Sequence, residues 1–222
     1  MEAASRPSSR RYDSPRRRLQ SEQTRGAVLD AAGRLFADRG WAGTGMREVA
    51  AAAGVSVETV YAGFGSKPEL LKAVFDVAVV GDDAPVALAE RPAVVAMREG
   101  PRTCRVAQAA SVASGISART CELLQALIAG AGSDETLTGL LADLDERRRR
   151  QIADLYAVVA GRPATALQLD EVWLLTSADV FHLLVHRLGW SAEQHEAWLG
   201  ASLLRIVRQP HTQPEPTATE VP

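Results

Sequence analysis

The sequence predicts an all-α protein, a small N-terminal helical unit followed by a larger helical body, and three observations carry that prediction. β-Branched residues come singly among alanines and leucines, never in alternating runs bounded by turns, so strand signals are nearly absent. Apolar residues recur instead every three to four positions over long stretches. Ser, Gly and Pro stand where those stretches begin and end.

Taken in order, Ser21 is expected to cap a first helix to about Asp38, with Val28, Ala32, Leu35 and Phe36 on one side and Gly40 as its stop. Thr44 is the expected N-cap of a short second helix whose Val49 and Ala50 face inward. Gly54 sits where that helix must stop and reverse, and Ser56 caps a third. On this third helix Val60 and Phe64 fall four apart and point to one side, leaving Val57, Glu58, Thr59, Tyr61 and Ala62 at its start and on its open face. The pattern is that of a helix-turn-helix, in which this end of the later helix meets base edges in DNA.

Ser66-Lys67-Pro68-Glu69 reads as a capping box opening a helix through Leu70, Leu71, Val74, Phe75 and Val77 to about Val80. Prolines 85, 92 and 101 break the next stretch, after which a long helix is expected over about 102–129. Gly130-Ala131-Gly132 ends it; with no strand before it, this glycine pair reads as a helix-to-helix turn rather than a phosphate loop. Ser133 is the expected cap of a helix over roughly 134–159, closed by Gly161-Arg162-Pro163. Two strongly apolar helices follow, near 169–188 and 192–207, the second opened by the box Ser191-Ala192-Glu193-Gln194. On the first, Trp173, Leu174, Val180, Phe181, Leu184, Val185 and Leu188 cover well over the roughly 100° that one core contact needs. A second apolar partner is expected, the same pair of helices from another copy, giving a four-helix bundle across a two-fold axis.

An apolar share of 46% with 23% charged residues over 222 residues is ordinary for a globular chain. Residues 1–20 and 209–222 are rich in Pro, Ser, Thr, Arg and Gln and are expected to be disordered, the first as a basic arm and the second as a tail. Between them we expect a helix-turn-helix unit over 21–66 and a body over 67–208. There is no apolar run of membrane-spanning length, and the N-terminal arginines precede no apolar stretch, so no membrane partner is expected and the location expected is cytoplasmic. Cys104 and Cys121 are too few for a disulfide framework and lack zinc-site spacing, so buried thiols are expected. Residues 1–67 carry 11 Lys and Arg against 7 Asp and Glu, whereas 68–222 carry 14 against 20. A basic front half joined to an acidic remainder suits one nucleic-acid-facing unit on a body that stays off phosphate.

All four histidines, His182, His186, His195 and His211, lie late in the chain, and no nucleophile with its base and no cofactor loop is evident. An enzyme is therefore not expected, nor a cofactor. Asp179, His182 and His186 share a helix face, but without a fourth ligand a polar seam is favoured over a metal site.

In the body, Arg147 to Arg150 interrupt an otherwise apolar stripe of Leu137, Leu141, Leu144, Ile152, Leu155 and Val159. Arg148 lies near the centre of that stripe, while the other three have Asp143, Asp145 and Glu146 four residues earlier as partners. A guanidinium there needs a counter-charge or several acceptors; an internal carboxylate is favoured, an anionic or carbonyl-bearing ligand being the other reading. Ser111, Ser114, Ser117 or Ala118, and Cys121 make a strip of small, weakly polar side chains on the long helix. It reads either as close helix packing or as a pocket wall lined jointly with Met97, Tyr156 and Trp173.

The segment Gly54-Val55-Ser56 through Thr59-Val60-Tyr61, Phe64 and Ser66-Lys67, with Ala31, Leu35, Phe36 and Gly40 before it, resembles the signature of TetR-family transcriptional regulators. The resemblance covers about 21–75 at motif level. It implies a homodimeric regulator, most often a repressor, whose first three helices bind a double-stranded DNA operator. The remaining helices would form the pocket of an unknown small-molecule effector that releases the DNA, and the last two, about 169–207, would dimerise. By position, Arg47, Thr59 and Ala62 would face the groove, and Thr44, Tyr61 and Lys67 would contact phosphate, with Val57 and Glu58 at the start of the reading helix. Gly63 and Glu58 depart from the family's pattern, Gly63 by lacking a side chain that could touch the backbone. Glu58 would then either accept from a cytosine amino group or, the favoured reading, cap the helix dipole. The arginines at Arg10-Arg11 and Arg16-Arg17-Arg18 read either as further attraction, lying in the adjacent minor groove or along phosphates, or as a solvated tail with no role. A regulator of the same fold without an effector is the alternative; a fully packed body would favour it.

Overall fold

A computed structural model describes residues 15–210 apart from 83 and 85. Arg10 and Arg11 of the basic arm lie outside the described residues, as does most of the tail. Within them the chain is helical throughout, with no strand.

Helix α1 (Pro15–Arg39) starts six residues before Ser21, which sits inside it rather than at its cap, so residues 15–20 are helical and not disordered. Gly40 ends α1 at φ +65°, a left-handed conformation that a Cβ would strain. Helix α2 (Met46–Ala53) is capped by the backbone of Gly45, not by Thr44. Thr44 is 2% exposed, and its hydroxyl donates to the carbonyls of Leu35 and Gly40, each at 2.9 Å, tying the α1–α2 turn from within. Gly54 closes α2 at φ +69°, and its N–H returns to the carbonyls of Ala50 and Ala51. Ser56 caps α3 (Val57–Phe64) by accepting from the N–H of Thr59 at 3.2 Å, and Ser66 caps α4 (Lys67–Val80) through the N–H of Glu69.

After the short helix α5 (Pro92–Val95), α6 (Arg102–Ala131) runs the length of the body. Helix α7 (Glu135–Ala160) is capped by Asp134 rather than by Ser133, whose hydroxyl instead donates to the carbonyl of Gly130. The expected straight helix near 169–188 is broken. Helix α8 (Ala166–Leu175) ends at Thr176, Ser177 caps the new start of α9 (Ala178–Phe181), and α9 continues as a π-helical turn over His182–Arg187. The apolar arc drawn across one continuous helix therefore does not exist as such. Helix α10 (Ala192–Arg208) opens on the expected capping box, with Ser191 and Gln194 bonding reciprocally.

Two large apolar clusters organise the packing. In the first, Phe36, Val49, Val60, Leu70, Leu71 and Val74 from α1–α4 are continuous with Leu123, Leu127, Leu137 and Leu140 of α6 and α7. The second gathers Met97, Val106, Tyr156, Val159, Val172, Leu199, Leu203 and Ile206 around α6, α7, α8 and α10. Helix α4 joins head to body, and Arg119 of α6 grips its C-terminal end by donating to the carbonyls of Ala78 at 2.8 Å and Val79 at 3.3 Å.

His195 of α10 is fully buried between Phe181 and Trp198, and its Nδ1 shares a 2.9 Å hydrogen bond with the Ser114 hydroxyl. Burial holds its pKa below the usual imidazole value. The folded protein thus binds fewer protons here than the unfolded chain, so this contribution is full above about pH 6.5 and is lost as the pH falls below that value. We expect the wild type to lose stability as the pH falls below about 6.5, and His195→Gln to lack this part of the loss. Urea titrations of the wild type and His195→Gln check it; equal slopes would contradict it.

Candidate nucleic-acid interface and internal cavity

Local capping fixes the orientation of α3. With Val60 fully buried and Phe64 packed beneath, the exposed face carries Glu58, Thr59, Tyr61 and Ala62, and Tyr61 is 50% exposed despite its size. Arg47 of α2 is exposed alongside, without an intramolecular ion pair among the described residues. Val57 is half-buried and packs against the core, so it holds the helix start rather than offering it outward. The Glu58 carboxyl lies below the usual glutamate range because it takes hydrogen bonds from its own backbone N–H and from Ser56, the arrangement of a helix-start cap.

Two expected phosphate contacts are placed differently. Thr44 is buried with its hydroxyl committed inside the fold, so it cannot reach phosphate as the head stands. Lys67 is half-buried: its ammonium sits 3.8 Å above the Trp41 ring and donates to the Trp41 carbonyl. Burial lowers its pKa, with Glu48 and Asp134 opposing. Trp41, which the sequence reading passed over, stacks on Phe36 at 6.0 Å with the rings 9° apart and abuts Gly130 of α6. An isolated Trp one residue past a helix-stop glycine is the signal that could have flagged it. Arg25 of α1 was passed over too; its guanidinium covers the Phe64 ring at 4.7 Å, beside the exposed face of α3. At Gly63 an added Cβ would meet nothing within 4 Å, so its missing side chain leaves open surface.

The family description "Bacterial regulatory proteins, tetR family" matches residues 28–74, which are the helix-turn-helix and its supports. The chain is 47% identical over 57 residues to the HTH-type transcriptional activator FasR of Mycolicibacterium smegmatis, a match spanning about a quarter of each protein (26%). A structure described as a putative TetR-family transcriptional regulator from Rhodococcus sp. superposes with a TM-score of 0.64 at 19% identity, over 84% of this chain and 99% of its own. One from Syntrophomonas wolfei gives 0.65 at 15% identity over 85% and 96%, and the multidrug binding protein EbrR, complexed with imidazole, 0.54 at 19% over 90% and 94%. Residues 28–74 thus carry the DNA-binding segment of the tetR family, and the chain as a whole shares the fold of those regulators.

Beyond that segment the body is not fully packed. A cavity of about 560 Å³ lies between α4, α6, α7 and α8. Its wall is mostly apolar, including Phe75, Val79, Met97, Ile116, Leu155 and Tyr156. One end is polar. There Arg148 donates to the Trp173 carbonyl and, at 3.0 Å, to the Thr176 hydroxyl, with its guanidinium 4.9 Å over the Trp173 ring. No carboxylate stands within ion-pair distance of Arg148 among the described residues, so the favoured internal salt bridge is not formed. Burial brings its pKa down to about 10, opposed by the charges of Asp145 and Asp179, which leaves it a cation at neutral pH.

Of the residues expected to line a pocket, Met97, Arg148, Tyr156 and Trp173 do so. Ser114 does not, because it faces α10 and is bonded to His195. Ser117 reaches the cavity instead and donates to the Thr176 carbonyl at 3.2 Å. Among the neighbouring arginines only Arg150 pairs four residues back, with Glu146 at 3.1 Å. Arg147 pairs with Asp76 of α4 at 3.3 Å and Arg149 with Asp170 of α8 at 2.7 Å, so the run ties α7 to the elements on both sides. No helix of the described residues is long and apolar enough to cross a membrane.

Proposed function

We propose that this tetR-family regulator is a homodimeric repressor, bound to a near-palindromic operator and released from it by a small molecule lodged between α4, α6, α7 and α8. The observation that carries the effector reading is the cavity, since a regulator that senses nothing has no use for about 560 Å³ of empty, mostly apolar space. The wall suits an apolar molecule whose hydrogen-bonding head meets Arg148, Asp145 and Asp179. Helix α4 supports a route to the head: Leu70 and Leu71 are fully buried in the head's core, while Phe75 and Val79, one to two turns on, line the cavity. A ligand that prefers one tilt of α4 therefore shifts the population of one head orientation. Leu174, Leu183 and Leu188 are 55%, 43% and 62% exposed on one chain, and this supports a second copy covering the α8–α10 side. Two heads so held would sit about 34 Å apart, one turn of DNA. The relative named an activator leaves the sign of regulation to experiment.

At the DNA face, Arg47→Ala should weaken operator binding by about 1–3 kcal/mol, roughly 5- to 150-fold, if it pairs with a guanine. Gly63→Lys should strengthen binding to all duplexes and steepen the salt dependence by about one phosphate contact. Anisotropy titrations of a labelled duplex at several salt concentrations measure both. The effector reading is tested by screening apolar compounds with anionic or carbonyl heads for release of that duplex, with the wild type and with Ile152→Trp, which fills the cavity. Release by a compound in the wild type alone supports the reading. Release equal in both proteins counts against it.

A further inference from the structure

Where α6 passes the π-helical turn, the fold brings together donors that lie far apart in sequence. Cys121 Sγ is 3.7 Å from His186 Nε2, and the same nitrogen is 3.7 Å from Glu122 Oε1. One donor atom from each of the three residues lies within 4.8 Å of the other two. Ligand bonds of about 2.0–2.3 Å in tetrahedral zinc put neighbouring ligand atoms roughly 3.3–3.6 Å apart, so the two pairs that share His186 need only tenths of an ångström of closure and the Cys121–Glu122 pair up to about one ångström. We propose that Cys121, Glu122 and His186 bind a divalent transition-metal ion of the zinc class, with water in the fourth position.

The donor set fits that class. A thiolate and a carboxylate neutralise the ion's charge, and imidazole with thiolate favours zinc over magnesium or calcium. His182 completes the surroundings: its Nδ1 lies 3.4 Å from the same Glu122 oxygen and has no hydrogen-bond partner in the protein, leaving it free to hold the carboxylate once a metal draws it in. The imidazole rings of His182 and His186 are 5.2 Å apart on a π-helical turn, a rare geometry that concentrates at functional sites. Phe181, 3% exposed, anchors that turn edge-on to the His186 ring. Asp179, which the sequence grouped with the two histidines, accepts instead from Gln125 Nε2 at 3.0 Å.

The site is independent of the DNA and effector readings and is tested without either. Tag-free, full-length protein is titrated with Co²⁺, and thiolate-to-cobalt charge-transfer absorption is followed. One Co²⁺ per chain is expected, displaced by Zn²⁺. The absorption should vanish in Cys121→Ser and fall steeply in His186→Ala, persist in Cys104→Ser and Asp179→Asn, and need about 10–100-fold more metal in His182→Ala. His186 is 45% exposed at its side chain, so its variant should keep the wild-type circular dichroism and decides the matter even if Cys121→Ser fails to fold. No charge-transfer absorption in the wild type, unchanged affinity in His186→Ala, or loss only in Cys104→Ser overturns the proposal.

Discussion

Phe36→Ala is expected to lower the unfolding free energy by about 3–5 kcal/mol, the range for deleting a fully buried aromatic ring. Phe36 has no exposed surface, so its removal leaves a cavity that the short helices around it cannot close. The loss also spreads. Its ring supports Trp41, which carries the Lys67 ammonium and touches α6, so the head should loosen from the body as well as soften internally. Urea denaturation followed by circular dichroism measures the first effect and tryptophan fluorescence the second. A cost under about 1 kcal/mol would mean that the head's core is not built as described.

Gly130→Val should cost about 1–3 kcal/mol through overpacking and should weaken DNA binding in parallel. A Cβ at this position would collide with Leu137 Cδ1 and stand 2.8 Å from Trp41 Cγ. Leu137 can turn away, but Trp41 is held by Phe36 and Lys67, so the displacement passes into the α1–α2 loop. The control is Gly63→Ala, at an exposed helical position with open space, where removing a glycine should stabilise by up to about 1 kcal/mol. Denaturation midpoints of the two variants should move in opposite directions. A stabilising Gly130→Val would show that α6 does not approach the head so closely.

The contrast between those glycines shows which features the sequence made legible. The turn at Gly54 and the cap at Ser56 were readable because both act within a few residues of themselves. Thr44 misled because a hydroxyl before a helix is equally suited to bond backward, and the carbonyls of Leu35 and Gly40 win it. At residues 133 and 134 two good caps stand side by side, and nothing local chooses between them. The break after Leu175 carries no Gly or Pro. Thr176 instead folds its hydroxyl back onto the Val172 carbonyl at 2.7 Å while Ser177 starts afresh, a competition that apolar periodicity cannot reveal. Arg148 was legible as an outlier on an apolar stripe, but its partners were not, since a carbonyl and a hydroxyl from α8 leave no charge pattern in the sequence. The Cys121, Glu122 and His186 cluster depends on packing between elements more than sixty residues apart, beyond the reach of any spacing rule.

On the proposed function, an exposed α3 and Arg47 read duplex DNA from a two-headed assembly. The most direct test is the binding of this chain to duplex DNA from upstream of its own gene, titrated by anisotropy from low to high salt. Saturation is expected at two chains per site, with the logarithm of affinity falling linearly as the logarithm of salt rises. Failure to bind any duplex at low salt, or saturation at one chain per site, would contradict it.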